Sequence, residues 1–141
     1  MAKKALGNAV KIRSITELKD GFYNTAYMLE LQNEKAILKV SPPKNVKVMR
    51  YEKNLMQAEV SALRKMKTRT GIPVPAVLYY DNSEEIIEND YFFMEFVEGI
   101  SLYKIKNELE PKQLHDISTQ LAKIVTEINK IDEEYFGYLS Q

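Results

Sequence analysis

Lys39 is the only charge in the run Ala36-Ile37-Leu38-Lys39-Val40, and this constrains the chain more than any other feature. An unpaired ammonium buried in an apolar strand costs several kcal/mol, so such a lysine is either half-exposed or neutralised by a carboxylate. Glu59, twenty positions downstream, is the candidate partner. From about Lys47 to Lys67 there is no Gly or Pro, and Met49, Leu55, Met56, Val60, Leu63 and Met66 recur at helical spacing, with Asn45 placed to cap the helix. Taking Glu59 as zero on an ideal helix puts Met66 at about −20°, Leu55 at about −40°, Leu63 at about +40° and Met56 at about +60°. Glu59 is therefore expected inside the apolar stripe, where a carboxylate either snorkels to water or meets a cation from a neighbouring element. Periodicity alone leaves both arrangements open: a Lys39–Glu59 pair, or a solvated glutamate and a strand-edge lysine.

The flanking segments supply a sheet. Val10 to Leu18 reads as a strand with a bend, Lys19-Asp20-Gly21 as a turn, Tyr23 to Leu31 and Lys35 to Val40 as two further strands of an antiparallel meander. Ser41-Pro42-Pro43 stops the third. After the helix, which Thr70-Gly71 ends, Ile72-Pro73-Val74-Pro75 enters an extended segment through Tyr80, and Tyr91 to Val97 forms an aromatic strand. The expected class is α+β, a five-stranded antiparallel sheet with one long helix. Glu98-Gly99 breaks the last strand, Ser101 can cap a short helical turn, and Pro111 opens an amphipathic helix striped by Leu114, Ile117, Leu121, Ile124, Val125 and Ile128.

Composition excludes several function classes. The 141 residues fit one ordinary domain by size, and twenty basic side chains balance twenty acidic ones, so no overall charge draws the chain to nucleic acid or an anionic membrane. There is no cysteine to form a disulfide or a thiolate metal site, no apolar core to the first eight residues and no run of about 18 apolar residues. The expected compartment is cytoplasmic. Strand parity places Ile37 and Lys39 on one face and Leu38 and Val40 on the other, so Ile37 is positioned to floor an apolar pocket beside the ammonium. The turn Gly21-Phe22-Tyr23-Asn24-Thr25-Ala26 offers backbone N–H groups and small polar side chains to a phosphate, although one glycine in a turn is by itself only a hairpin signal.

In this order the parts resemble the N-terminal lobe of protein-kinase-like folds: a turn with Gly21, Lys39 within Ile-Leu-Lys-Val, Glu59 on a helix, and Met94-Glu95-Phe96-Val97-Glu98-Gly99 after an aromatic strand. The finer texture is similar to the aminoglycoside phosphotransferase family. It rests on Gly21 to Tyr27, Ile72-Pro73-Val74-Pro75, Met94 to Leu102, and the helix Leu121 to Ile131 followed by Phe136-Gly137. The resemblance runs from about residue 10 to the end.

It implies that Lys39 contacts the α- and β-phosphates of ATP and is held by Glu59, with Gly21, Asn24 and Thr25 in the phosphate turn. Adenine would lie against Ala26 and Ile37, bordered by Met94, and hydrogen-bond to the Glu95 carbonyl and the Val97 amide. It further implies a lobe at residues 1–97 and, at 98–141, a hinge with the first helical part of an incomplete second lobe.

Two positions depart from the pattern: Asp20 stands where many relatives have a second glycine, and Asn129 where they often carry histidine. More important, phosphoryl transfer needs a carboxylate base and metal-binding residues, and neither a His-Gly-Asp loop, an Asp-x-Asp nor an Asp-Phe-Gly occurs here. The one histidine, His115, lies within the amphipathic helix and is expected to have no catalytic role. The function expected is the nucleotide-binding lobe of an ATP-dependent kinase for a small-molecule hydroxyl, catalytically incomplete alone, with Mg²⁺ only in a full-length protein. The alternative is a non-catalytic kinase-like module that binds a protein partner or self-associates through its exposed C-terminal helix. The apolar ending Tyr135 to Leu139 is expected to pack on further structure.

Overall fold

Residues 1–19, 21, 23–46 and 54–132 are described by the computed structural model. A short helix α1 (Ala2–Leu6) precedes strands β1 (Ile12–Leu18), β2 (Thr25–Leu31) and β3 (Lys35–Val40). Helix α2 (Leu55–Arg69), β4 (Val77–Asp81), β5 (Tyr91–Glu95), the single-turn α3 (Leu102–Ile105) and α4 (Pro111–Ile128) follow. The five strands form one antiparallel sheet in the order β1-β2-β3-β5-β4. The bend expected in the first strand is a register irregularity between Ile12 and Ser14.

The start of α2 differs from the sequence reading. Asn45 lies in a turn closed by the Val46 N–H donating to the Pro43 C=O, and the N-cap position of α2 is Asn54, with φ 60°. Residues 47–53, Met49 among them, lie outside the described residues, as do Asp20, Phe22 and the apolar ending Tyr135 to Leu139. Helix α4 starts as expected at Pro111. A capping box holds it, in which the Glu110 N–H donates to Gln113 Oε1 at 2.9 Å.

Register divides the sheet into two faces. Ala26 opposes Lys39, which opposes Phe92, and Met28 opposes Ile37, which opposes Met94. Helix α2 lays Met56 and Val60 on this face against Phe92, with Leu63, Val77, Tyr80 and Met94 around them. Phe92 is wholly buried. The stripe of α2 therefore centres on Met56 and Val60, packed against residues of β5 and β4, and Glu59, half-buried, sits at its margin.

The opposite face carries Leu29, Leu31, Ala36, Leu38, Tyr91 and Phe93, covered by Ala2, Ala5, Leu6 and Val10. Helix α1 was not foreseen, since five residues with two lysines carry no readable period. A polar knot fastens it. Lys4 Nζ donates to Asp81 Oδ2 and to Glu85 Oε2, each at 3.0 Å, and the hydroxyls of Tyr79 and Tyr91 donate to the same Asp81 oxygen at 3.0 Å. Ser83 donates its N–H and hydroxyl to Asp81 Oδ1 at 2.8 and 2.6 Å. Asp81 is 5% exposed, and the hydrogen bonds from Ser83 and then Lys4 hold its carboxyl well below the usual carboxylate range, outweighing desolvation.

A depressed folded-state pKa means that this stabilisation is fully present above the ordinary aspartate value of about 4 and drains away as pH falls through the folded value. Asp81→Asn is expected to unfold at lower urea than the wild type at pH 7, and the gap is expected to narrow at pH 3. Urea titrations at the two pH values read both effects; a gap that is constant or widens at pH 3 contradicts this account of Asp81.

Candidate functional site

The predicted pair forms. Lys39 Nζ donates to Glu59 Oε1 at 2.5 Å, joining the middle of the sheet to α2. The side chains are 25% and 32% exposed, so each charge keeps part of its hydration while remaining fixed by its partner. Two further groups define the lysine's position. The Phe92 ring, opposite Lys39 in register, has its centroid 5.7 Å from Nζ, within range of a cation–π contact. Asn24 Nδ2 donates to the second carboxylate oxygen, Glu59 Oε2, at 3.2 Å. Phe92 was missed in the sequence reading because its pairing depends on β5 lying next to β3, which local pattern does not reveal. Asn24 was singled out, but for phosphate and not for Glu59.

The other expected positions group as follows. Ala26 and Ile37 are buried on the lysine's face of the sheet, with Met94 half-buried beside Ile37 in register. Gly21 has a local steric reason: a Cβ there would stand 3.0 Å from the Asn24 carbonyl oxygen, so a side chain would press on the backbone of the turn. Thr25 begins β2, exposed, opposite Val40. Glu95 ends β5 and is more engaged than expected, since its N–H donates to the Ala76 C=O at 2.9 Å while its Oε2 accepts from the Ala76 N–H at 2.7 Å. Lys67 Nζ lies 3.8 Å from the same carboxylate, so this residue pins the chain leaving β5 to the segment entering β4. Val97 follows in irregular chain and is 66% exposed.

A hollow of about 280 Å³ runs along the turn, lined by Glu17, Leu18, Lys19, Gly21, Asn24 and Thr25, with Tyr23. Another of about 410 Å³ adjoins the end of β5, between Lys35, Leu78, Phe96 and Glu98, with Glu34 and Glu95. Neither takes in Lys39, Ile37 or Met94, which lie on the α2-covered face of the sheet, Ile37 buried and Met94 half-buried. His115 is exposed on α4. Among the described residues, no group of three or more His, Cys, Asp or Glu side chains could hold a metal ion, and no helix is long and apolar enough to cross a membrane.

A five-stranded antiparallel sheet with one helix across it, and a strand lysine held by a helix glutamate, define the N-terminal lobe of a protein-kinase-like fold. Residues 14–139 match the model of the phosphotransferase enzyme family, and the chain belongs to that family. It is 27% identical over 136 residues to Altered inheritance of mitochondria protein 9, mitochondrial, of Lodderomyces elongisporus, an alignment covering 94% of this chain and 21% of the relative. It also resembles the crystal structure of a Ralstonia eutropha JMP134 protein assigned to the aminoglycoside phosphotransferases. That likeness is one of fold, with a TM-score of 0.53 and 19% identity, and covers 70% of this chain and 26% of the other. The chain thus spans about a fifth of the length of the curated relative and about a quarter of the solved one.

A part-exposed ion pair contributes little to stability, about 1 kcal/mol or less. Glu59→Gln is therefore expected to lower the unfolding free energy by no more than about 1 kcal/mol in urea titrations. A loss of several kcal/mol would mean that the pair is chiefly a fold-holding element.

Proposed function

We propose that this chain forms the nucleotide-binding face of an ATP-dependent phosphotransferase that acts on a hydroxyl of a small molecule. The observation that carries the reading is the Lys39–Glu59 pair, set on the same sheet face as the apolar residues Ala26, Ile37 and Met94. In this reading the ammonium faces the α- and β-phosphates and Glu59 keeps it from swinging away. Gly21, Asn24 and Thr25 bring backbone groups to the phosphates, and Thr25 its hydroxyl as well. Adenine rests on Ala26 and Ile37 with Met94 at its border, and the Glu95 carbonyl and Val97 amide read its edge. These are preorganised electrostatic and positioning roles, which dominate phosphoryl transfer.

The donor set of the described residues does not fit Mg²⁺, so a metal and a catalytic base would come from outside them. Residues 1–97 act as the lobe in this proposal, and 98–141 as the hinge and opening part of a second one. Family membership and the name of the solved relative support the proposed acceptor class. A cytoplasmic location remains part of the proposal; the fungal relative's name assigns that protein to mitochondria.

Isothermal titration with ATP is expected to give weak binding by the wild-type chain and at least about tenfold weaker binding by Lys39→Ala, as expected for loss of a charge-assisted contact. Equal affinities would remove Lys39 from the site.

A second reading, a non-catalytic module that binds protein, draws on α4. None of its residues is buried, and Leu121, Val125 and Ile128 are exposed along one stripe, Leu121 by 57%. Under this reading the chain self-associates through that stripe, and Leu121→Glu lowers the sedimentation coefficient toward that of a monomer without changing ATP affinity. A wild-type chain that sediments as a monomer at high concentration speaks against self-association.

A further inference from the structure

Asn24 makes a contact that phosphate binding by the turn does not require. Its Nδ2–H donates to Glu59 Oε2 at 3.2 Å, across 35 positions of sequence, while Lys39 donates to Oε1. Both carboxylate oxygens are thereby engaged, one from β3 and one from the turn before β2. The amide serves Glu59 in one orientation only, because its oxygen would be repelled by the ionised carboxylate. That orientation leaves Asn24 Oδ1 buried with no hydrogen-bond partner among the described residues. Buried amide oxygens normally find a donor, so the fold tolerates an unmet acceptor while keeping the bond to Glu59.

The turn is closely spaced at this point. The Asn24 carbonyl oxygen stands 3.0 Å from where a Cβ on Gly21 would be, so the chain at residues 21 and 24 runs close together. Two positions further on, Ala26 is locked opposite Lys39 in the sheet. A displacement of α2 that moves Glu59 therefore pulls on the lysine and on the glycine turn together.

We propose that Asn24 is a positioning residue that ties the Gly21 turn to α2 through Glu59, so that turn and ammonium keep one relative placement toward the phosphates. The proposal rests on the nucleotide-binding reading above. It differs from direct phosphate recognition in one respect: removal of Asn24 affects ATP binding only while Glu59 is present.

The test is a cycle of four proteins: wild type, Asn24→Ala, Glu59→Ala and the double variant. Each is unfolded in urea and titrated with ATP and, separately, with adenosine. Asn24→Ala is expected to lower the unfolding midpoint in the wild-type background and to lower it less when residue 59 is alanine. It is expected to weaken ATP about tenfold, as befits one hydrogen bond to a charged group, to leave adenosine unchanged, and to weaken ATP no further in the Glu59→Ala background.

Additive effects on the unfolding midpoint overturn the tie, whatever the ligands do. Equal weakening of ATP and adenosine, or no change for either, overturns the positioning role. Coupled midpoints in a chain that binds neither ligand sink the nucleotide reading and the positioning role with it, leaving a purely structural tie. If the alanine variants do not fold, Asn24→Asp combined with Glu59→Gln exchanges donor and acceptor. That double variant is expected to be more stable than Asn24→Asp alone, and equal or lower stability overturns the proposal.

Discussion

One carboxylate joins the central strand, the helix and the turn. Glu59 receives Lys39 on one oxygen and Asn24 on the other, so three segments remote in sequence meet at two oxygen atoms. The energetic position of this junction is intermediate by necessity. A fully buried pair would carry a desolvation penalty that its mutual attraction repays only with excellent geometry, whereas a fully exposed one would hold nothing in place. Partial exposure leaves the ammonium oriented yet still able to meet an anion.

The two faces of the sheet handle charge differently. On the α2 side the ionic groups stand at the margin of the helix packing, and the lysine has an aromatic ring nearby in place of a second carboxylate. On the α1 side Asp81 is almost wholly buried and collects donors from Ser83, Lys4, Tyr79 and Tyr91. Burial with full hydrogen bonding suits a fastener, because every lone pair is used and nothing remains to bind a ligand. The contrast sets a part-exposed ion pair on the first face against a fully bonded fastener on the second.

Much of this was legible in the sequence, for reasons tied to particular residues. Lys39 was conspicuous because the strand around it is otherwise apolar, and Glu59 because it falls close to Met56 and Leu63 on an ideal helix. Parity along β3 separated Ile37 and Lys39 from Leu38, and Pro111 marked the start of α4. What escaped depends on pairing across the sheet or on side chains that act out of local context. Phe92 is an unremarkable aromatic until β5 is placed beside β3. Helix α1 is too short to carry a period, and its anchor, Asp81, lies seventy-seven residues from Lys4. Asn24 was visible as a turn residue, but the direction of its amide is a tertiary fact.

The strand order has a consequence for how the chain acquires its structure. Because β5 lies between β3 and β4, the neighbour that completes the lysine-bearing strand is the last of the five to be synthesised. The meander β1-β2-β3 can form early, but one edge of β3 then presents unpaired N–H and C=O groups until Tyr91–Glu95 has left the ribosome. At typical elongation rates that interval lasts roughly 3–10 s, far longer than hairpin formation itself. A nascent chain of this design carries an open, apolar strand edge during synthesis, the kind of surface that chaperones bind and that stalled translation would leave prone to aggregation.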